Sequence, residues 1–303
     1  QRELHFAENT KNPNMHMEEN PQNILDQIQM TVLQQQNEFN RIWDGIQKEL
    51  KKEKITLVTE TQLTKTQQQF VRKFFDEEVR SNIIPLMIET LPQLPYLRDK
   101  SIFLGVVMRK KNSAYHQKYA LIEIPTKAVG RFILLPSRKE EKNIILLEDV
   151  IRFNLPVIFS YFGYDIFEAH VFKVTKDAEI DLDNDISTSF AEKIEKGIKS
   201  RRKGKPVRFV YDKEMDPGLL EYLIRRLSLN RKSNIIPGAR IHNFRHFMDF
   251  PDILNNKSTR RASFIPKSLQ TSLRVTDIIL KQDVMLHFPY HAFDPIIDLL
   301  REA

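Results

Sequence analysis

From Pro21 to Lys54 the apolar residues Ile24, Ile28, Val32, Phe39, Ile42, Trp43, Ile46 and Leu50 recur in steps of three, four and seven. At 3.6 residues per turn these positions share one side, so the spacing predicts a single long amphipathic helix with one stripe to bury. Such a stripe cannot be covered by its own helix. The rest of the chain has to supply a core for it, and that chain changes period at residue 55.

There "ITLVT" (55–59) reads as a short strand, and Thr64 is placed to cap a helix running to about Arg80, with Pro85 after it. "SIFLGVVMRK" and "QKYALIEIP" predict two strands joined by the polar turn "KNSAYH", and "RFILLP" adds another. Asn143 to Phe162 reads as a helix that Pro156 kinks or breaks. "FEAHVFKVT" and "KPVRFVY" are further strands. Ser187–Arg202 and Pro217–Leu229 are helices, the second opened by proline in its first turn, and "HNFRHFMDF" is a short helix. Near the end Val284, Leu286 and Phe288 alternate as in a strand, and Phe293 to Leu300 return to helical spacing. The fold class is therefore α+β: a helical N-terminal part, then a mixed α/β region, then an opening βα unit.

Composition narrows the functions open to this fold. The chain has 303 residues, enough for about two domains. It has no cysteine, which removes disulfides, thiolate metal sites and cysteine nucleophiles. Its longest apolar run, "IFLGVVM" (102–108), is far short of the roughly 18 residues a membrane span needs. The first ten residues are polar and lack a start methionine, which, with the βα opening at the other end, leads us to expect a piece of a longer protein. Between Ala191 and His246 there are 15 Lys/Arg against 6 Asp/Glu, while the whole chain carries only +7. Concentrated positive charge points to a polyanionic partner, although a solvated basic face would look the same.

Three short motifs resemble sites with known chemistry. Asp181, Asp183, Asp185 and Glu192 take positions one, three, five and twelve of a calcium loop, but Ile186 stands where the turn needs glycine. These carboxylates read instead as partners of a helix N-terminus. His242 and His246 have the i, i+4 spacing of a zinc pair, but Asn243 stands where such an enzyme carries its glutamate, and no third ligand suggests itself. "RRKGKPVRF" lacks the glycine spacing of a phosphate-cradling loop, although its clustered cations are suited to phosphate oxygens. No nucleophile elbow or carboxylate dyad is evident. From residues alone this is a basic α+β protein with an anionic partner, no active site of its own and no metal site.

Five stretches in order, "ALIEIPTKAVGRFILLP", "VTKDAEIDL", "KPVRFVYDKEMD", "IIPGARIHNFRHFMDFP" and "DVMLHFPYHAFDPIIDLLREA", resemble the bacterial polyphosphate kinases that work through a phosphohistidine. The resemblance implies a helical N-terminal domain over 1–54, a mixed α/β head domain over 55–270, and over 271–303 the start of the first of two phospholipase-D-like catalytic domains. It implies that the γ-phosphoryl of ATP passes through a histidine onto inorganic polyphosphate, reversibly, with ATP and Mg2+ serving the full-length enzyme and neither held wholly by this chain. The phosphorylated histidine is expected beyond Ala303, so no residue here is assigned as catalytic and the chain alone is expected to be inactive.

Candidates for a polyphosphate path are Arg208, Arg240, His242, Asn243 and Arg245, with Tyr290 and His291 near the entrance of the next domain. Where the family usually has an aromatic before "HNF", this chain has Ile241. The resemblance further implies ATP/ADP and polyphosphate as partners and a homodimer or higher homo-oligomer, for which the hairpin at 101–125 and the helix at 143–162 are candidate surfaces. It implies a cytoplasmic location that extends to the periphery of the inner membrane, with no transmembrane segment. A nucleic-acid-binding module using 191–246, with Phe209, Tyr211 and Tyr222 for stacking, is the alternative reading; the family implies no such partner.

Overall fold

The computed structural model describes residues 20–92, 94, 97–99, 101–111, 113–138, 140–176, 206–229, 235–242, 244–253, 263–270 and 273–302. The expected helix at 187–202, the calcium-like segment at 181–192 and Asn243 lie outside them. The chain divides into two compact units, Gln1–Pro251 and Asp252–Ala303.

The first unit opens with helix α1 (Pro21–Lys52), as its stripe requires. Trp43 and Phe39 from that stripe pack with Leu146, Ile241, Phe244 and Phe247 in an aromatic-rich cluster. Strand β1 (Ile55–Val58) follows, then helix α2 (Lys65–Phe74), which runs on through a wider turn, Phe75–Val79. Thr64 caps α2: its hydroxyl accepts from Gln67 N at 3.4 Å, and Gln67 Oε1 accepts from Thr64 N at 3.1 Å. That reciprocal pair satisfies two N–H groups that a helix start leaves orphaned.

A six-stranded sheet carries the core. Its order is β2 (Leu86–Met87), β4 (Ser113–Glu123), β3 (Ile102–Lys110), β7 (Ile166–Lys176), β8 (Pro206–Asp212) and β9 (Ile235–Gly238). Neighbours are antiparallel except β8 and β9. Residues Ile102 to Met108 of β3 are all buried, as expected of a strand covered on both faces. One face packs on α2 and on α4 (Leu147–Phe153) through Val71, Phe75, Val150 and Ile151. The other packs on α6 (Pro217–Arg226) through Leu219 and Leu223. Gly105 sets the closeness of that contact, since a Cβ there would come 2.9 Å from Leu219 Cδ2.

A second sheet, reached from β4 through the short helix α3 (Thr126–Val129), has the order β1, β6 (Lys142–Leu146), β5 (Phe132–Leu135), with β1 and β6 parallel. Here the sequence expectation needs correcting. Residues 143–146 are strand, and the helix begins only at Leu147. Ile144 and Ile145 are fully buried between two neighbours, where β-branched side chains favour the ladder over a helical turn. Pro156 does break the helix, in the first turn of the short α5 (Leu155–Ile158). The hairpin turn is also tighter than expected: β4 starts at Ser113, opposite Lys110, so much of "KNSAYH" is strand.

The second unit contains α7 (Val275–Ile279) and α8 (Asp294–Glu302). Glu302 accepts from the backbone N–H of Val275 and Thr276, both at 2.9 Å, closing the start of α7. The helix expected at 293–300 is present. The strand expected at 284–288 is not, and a single bridge, Phe264 to His291, is the strand-like pairing among the described residues of this unit. Alternating apolar residues favour a strand only where a neighbour takes up the backbone groups. No helix of the described residues is long and apolar enough to cross a membrane.

Candidate functional site

The polar groups of the first unit collect around the N-terminal half of α4. Arg131, just before β5, reaches Glu148: Nη2 donates to Oε1 at 2.6 Å and Nε lies 3.2 and 3.3 Å from the two oxygens. Both side chains are almost wholly buried. Burial pushes the Glu148 carboxyl up, but the Arg131 charge and hydrogen bonds outweigh it and hold the group below its usual range. Next to it, Asp149 pairs with both Arg152 and Arg240, and Arg240 also reaches Glu60 at 3.2 Å. Burial lifts Asp149 to about 7 against the pull of those two arginines, with Glu148 and Glu60 nearby.

On the sheet side, Lys173 of β7 faces Val210 of β8 across the ladder. The His242 ring lies against Gly238, beside Val210; a Cβ on Gly238 would meet His242 Cδ2 at 3.2 Å. Burial, then the charge of Arg131, takes the Lys173 ammonium down to about 8. Burial, then Lys173, takes His242 down to about 3, so its imidazole is neutral at pH 7. His246 is lowered by burial and by Arg131 and Lys173. Two buried polar atoms have no partner among the described residues, Arg131 Nη1 and His242 Nε2. Lys173 makes no hydrogen bond or ion pair with another described side chain.

An open cleft of about 850 Å³ is lined by Arg98, Lys127, Arg245 and His246, but also by Asp99, Glu123 and Asp249. Its charge is balanced, so it is not in itself a cationic channel.

The structure places the sequence candidates in different settings. Arg208 is exposed on β8, on a strand position opposite Thr175. Arg240 is engaged with Glu60 and Asp149, His242 is half-buried with its Nε2 enclosed, and Arg245 lines the cleft. Tyr290 and His291 belong to the second unit. Tyr290 is 62% exposed, while His291 Nδ1 accepts from His287 N at 2.9 Å and its ring meets Phe264 edge-on. Ile241 is buried against Trp43 and Leu146. Sequence reasoning missed Arg131, Lys173 and the His170–Asp212 contact at 3.5 Å. Lys173 carried the one available signal: a lysine inside an apolar strand, in register with inward-facing neighbours. Among the described residues no group of three His, Asp or Glu side chains is close enough to hold a metal ion.

Residues 66–250 match the family defined as the polyphosphate kinase middle domain. The chain belongs to the polyphosphate kinase family. Polyphosphate kinase of Vibrio vulnificus strain YJ016 is 35% identical over 288 residues, covering 92% of this chain and 40% of that protein. Polyphosphate kinase of Escherichia coli K12 is also 35% identical over 288 residues, with 92% and 41% covered. The chain thus spans about 40% of the length of these polyphosphate kinases. The crystal structure of polyphosphate kinase from Porphyromonas gingivalis has the same fold over 93% of this chain and 40% of that one, with a TM-score of 0.70 at 24% identity.

Proposed function

We propose that this chain is the polyanion-handling middle of a polyphosphate kinase that moves the γ-phosphoryl of ATP, through a phosphohistidine, onto the end of inorganic polyphosphate. The observation that carries this reading is the grouping of Arg131, Lys173 and Arg245 around two histidines whose protonation is disfavoured, in a chain of this family, with Glu148 the carboxylate bonded to Arg131 among the described residues. Phosphoryl transfer depends on positioning and on neutralising charge, and a cationic region beside the growing polymer would serve both. Arg208, Arg245 and His242 are the direct candidates in the first unit, with Asn243 beside them in sequence. Arg240 acts through the structure, holding α4 to Glu60. Tyr290 and His291 are the candidates in the second unit.

In this reading residues 1–54, 55–270 and 271–303 belong to a helical domain, a head domain and the start of a catalytic domain. ATP and Mg2+ are handled by other parts of the enzyme, and no residue here is the phosphorylated histidine. The enzyme works as a homodimer in the cytoplasm, including the periphery of the inner membrane. The apolar residues of the hairpin are consumed by the core of one chain, whereas Val157, Tyr161 and Phe162 remain exposed and are the better dimer surface.

The test is retention of radiolabelled polyphosphate by the 303-residue chain at fixed salt, together with an ATP-dependent synthesis assay. Binding that falls several-fold in Arg208→Glu and Arg245→Glu, with no synthesis, is expected. Polymer made from ATP by this chain, or no retention of polyphosphate, would overturn the reading.

A further inference from the structure

Asp149 holds two guanidinium groups through a single oxygen. Arg152 Nη1 and Arg240 Nη2 both donate to Oδ1, and no hydrogen bond to Oδ2 is found among the described residues. The Asp149 and Arg152 side chains are 3% and 7% exposed, but Arg240 is 39% exposed. Arg152 is fixed a second time, since its Nε donates to Ala169 O of β7 at 2.8 Å. Arg240 reaches out to Glu60, in the short turn Glu60–Gln62 after β1, at 3.2 Å. The charges that face Asp149 are Glu148 and Arg152 on its own helix, Glu60 from that turn, and Arg240. Glu148 is matched by Arg131, and Asp212 at the end of β8 acts on Arg152 while it contacts His170. Glu60, Asp149, Arg152 and Arg240 thus form a balanced set of two anions and two cations.

We propose that Asp149 and Arg240 form a proton-operated latch, in which a proton taken up on Asp149 Oδ2 frees Arg240 to solvent and loosens the packing of α1 on Ile241, Phe244 and Phe247. A proton there leaves the set with one positive charge in excess, and an unpaired charge in an interior is costly. Arg152 cannot move out without giving up the Ala169 carbonyl. Arg240 can, because it is already more than a third exposed. Its neighbour Ile241 is 4% exposed and packs with Trp43 of α1 and Leu146. Trp43 also meets the rings of Phe244 and Phe247, at 5.6 and 5.0 Å between centroids. One residue therefore separates the latch from the surface on which α1 rests. Burial lifts Asp149 to about 7, which puts the proton uptake near neutral pH. The folded chain takes up this proton as pH falls through 7, whereas an unfolded aspartate, near 3.8, does not. Proton uptake at Asp149 thus favours the fold, so the latch opens in a chain that stays folded. The latch is independent of which anion the domain handles.

Trp43 is the single tryptophan of the chain, so its fluorescence reports on this packing directly. Between pH 8.5 and 6 the protonated fraction of Asp149 rises from about 3% to about 90%. Over that span the 303-residue chain is expected to show red-shifted Trp43 emission and stronger quenching by acrylamide, with one midpoint near pH 7. Asp149→Asn carries no charge at any pH, and Arg240→Met has no cation to release. Both are expected to show the acid form of the emission throughout, with no midpoint. His246→Gln is expected to keep the midpoint, since burial and nearby cations hold the His246 imidazole below 6.5. The carboxyl 13C resonance of Asp149 in the wild-type chain gives a readout that needs no variant, and it is expected to titrate with the same midpoint. A carboxyl that stays ionised down to pH 5, or wild-type emission unchanged from pH 8.5 to 6, would overturn the latch. So would a midpoint that survives in Asp149→Asn or disappears in His246→Gln.

Discussion

Replacing Glu148 with alanine removes the one carboxylate that holds Arg131 in the interior. The two side chains are 2% and 3% exposed, and the pair is joined through Nε and Nη2. Breaking a buried pair from one side leaves an uncompensated charge, which costs about 3–5 kcal/mol. A domain of this kind has roughly 5–15 kcal/mol in total, so Glu148→Ala should unfold at markedly lower urea. Part of the cost is the charge itself rather than the lost contact. Arg131→Met combined with Glu148→Leu removes both charges and keeps volume, so the double variant should recover most of the loss. Equilibrium urea denaturation, followed by circular dichroism, measures Glu148→Ala and the four members of the cycle built from Arg131→Met and Glu148→Leu. A single-variant cost below about 1 kcal/mol, typical of exposed pairs, would refute the argument that this pair is desolvated. So would a double variant as unstable as the sum of the singles.

Leu219→Ala should cost roughly 2–5 kcal/mol in the same assay, because Leu219 is fully buried against Gly105. Gly105→Ala, which crowds Leu219, should cost about 1–3 kcal/mol alone and less when Leu219 is already Ala. His242 has a folded pKa depressed from 6.5 to about 3, so only the unfolded chain takes up its proton as pH falls below 6.5. Relative to His242→Gln, wild type should therefore lose about 2 kcal/mol between pH 6.5 and 4.5. The comparison cancels the opposite contribution of Asp149 and those of the lowered carboxyls of Glu60, Glu148 and Asp212. Tyr161→Ser should leave the melting temperature of the monomer almost unchanged, since its side chain is almost fully exposed, and should weaken self-association in sedimentation.

What the sequence made legible was mostly local. The stripe of α1, the Thr64 cap and the proline opening of α6 each rest on a few neighbouring residues whose geometry does not depend on the rest of the fold. Non-local pairing was harder to read. "NIIL" (143–146) reads as helix because the helix after it is real, and only the flanking strands β1 and β5 make it part of β6. Val284 to Phe288 shows the reverse: alternation without a pairing neighbour among the described residues. The charged cluster divides in the same way. His242 stood out through its spacing to His246, and Arg240 and Arg245 through local charge. Nine of the 15 cations between 191 and 246 lie outside the described residues, so that charge excess does not define the cluster. Arg131 and Lys173 come from two other segments, and only the closure of the sheets against α4 gathers them.

The account stands on the claim that this domain handles an inorganic polyanion. The most direct measurement is competition, at one fixed salt concentration, between long-chain polyphosphate and single-stranded RNA for the 303-residue chain. Polyphosphate preferred by tenfold or more, with the preference reduced in Arg208→Glu and Arg245→Glu, is the predicted result. RNA preferred by the same margin would contradict it and make the basic residues a nucleic-acid surface.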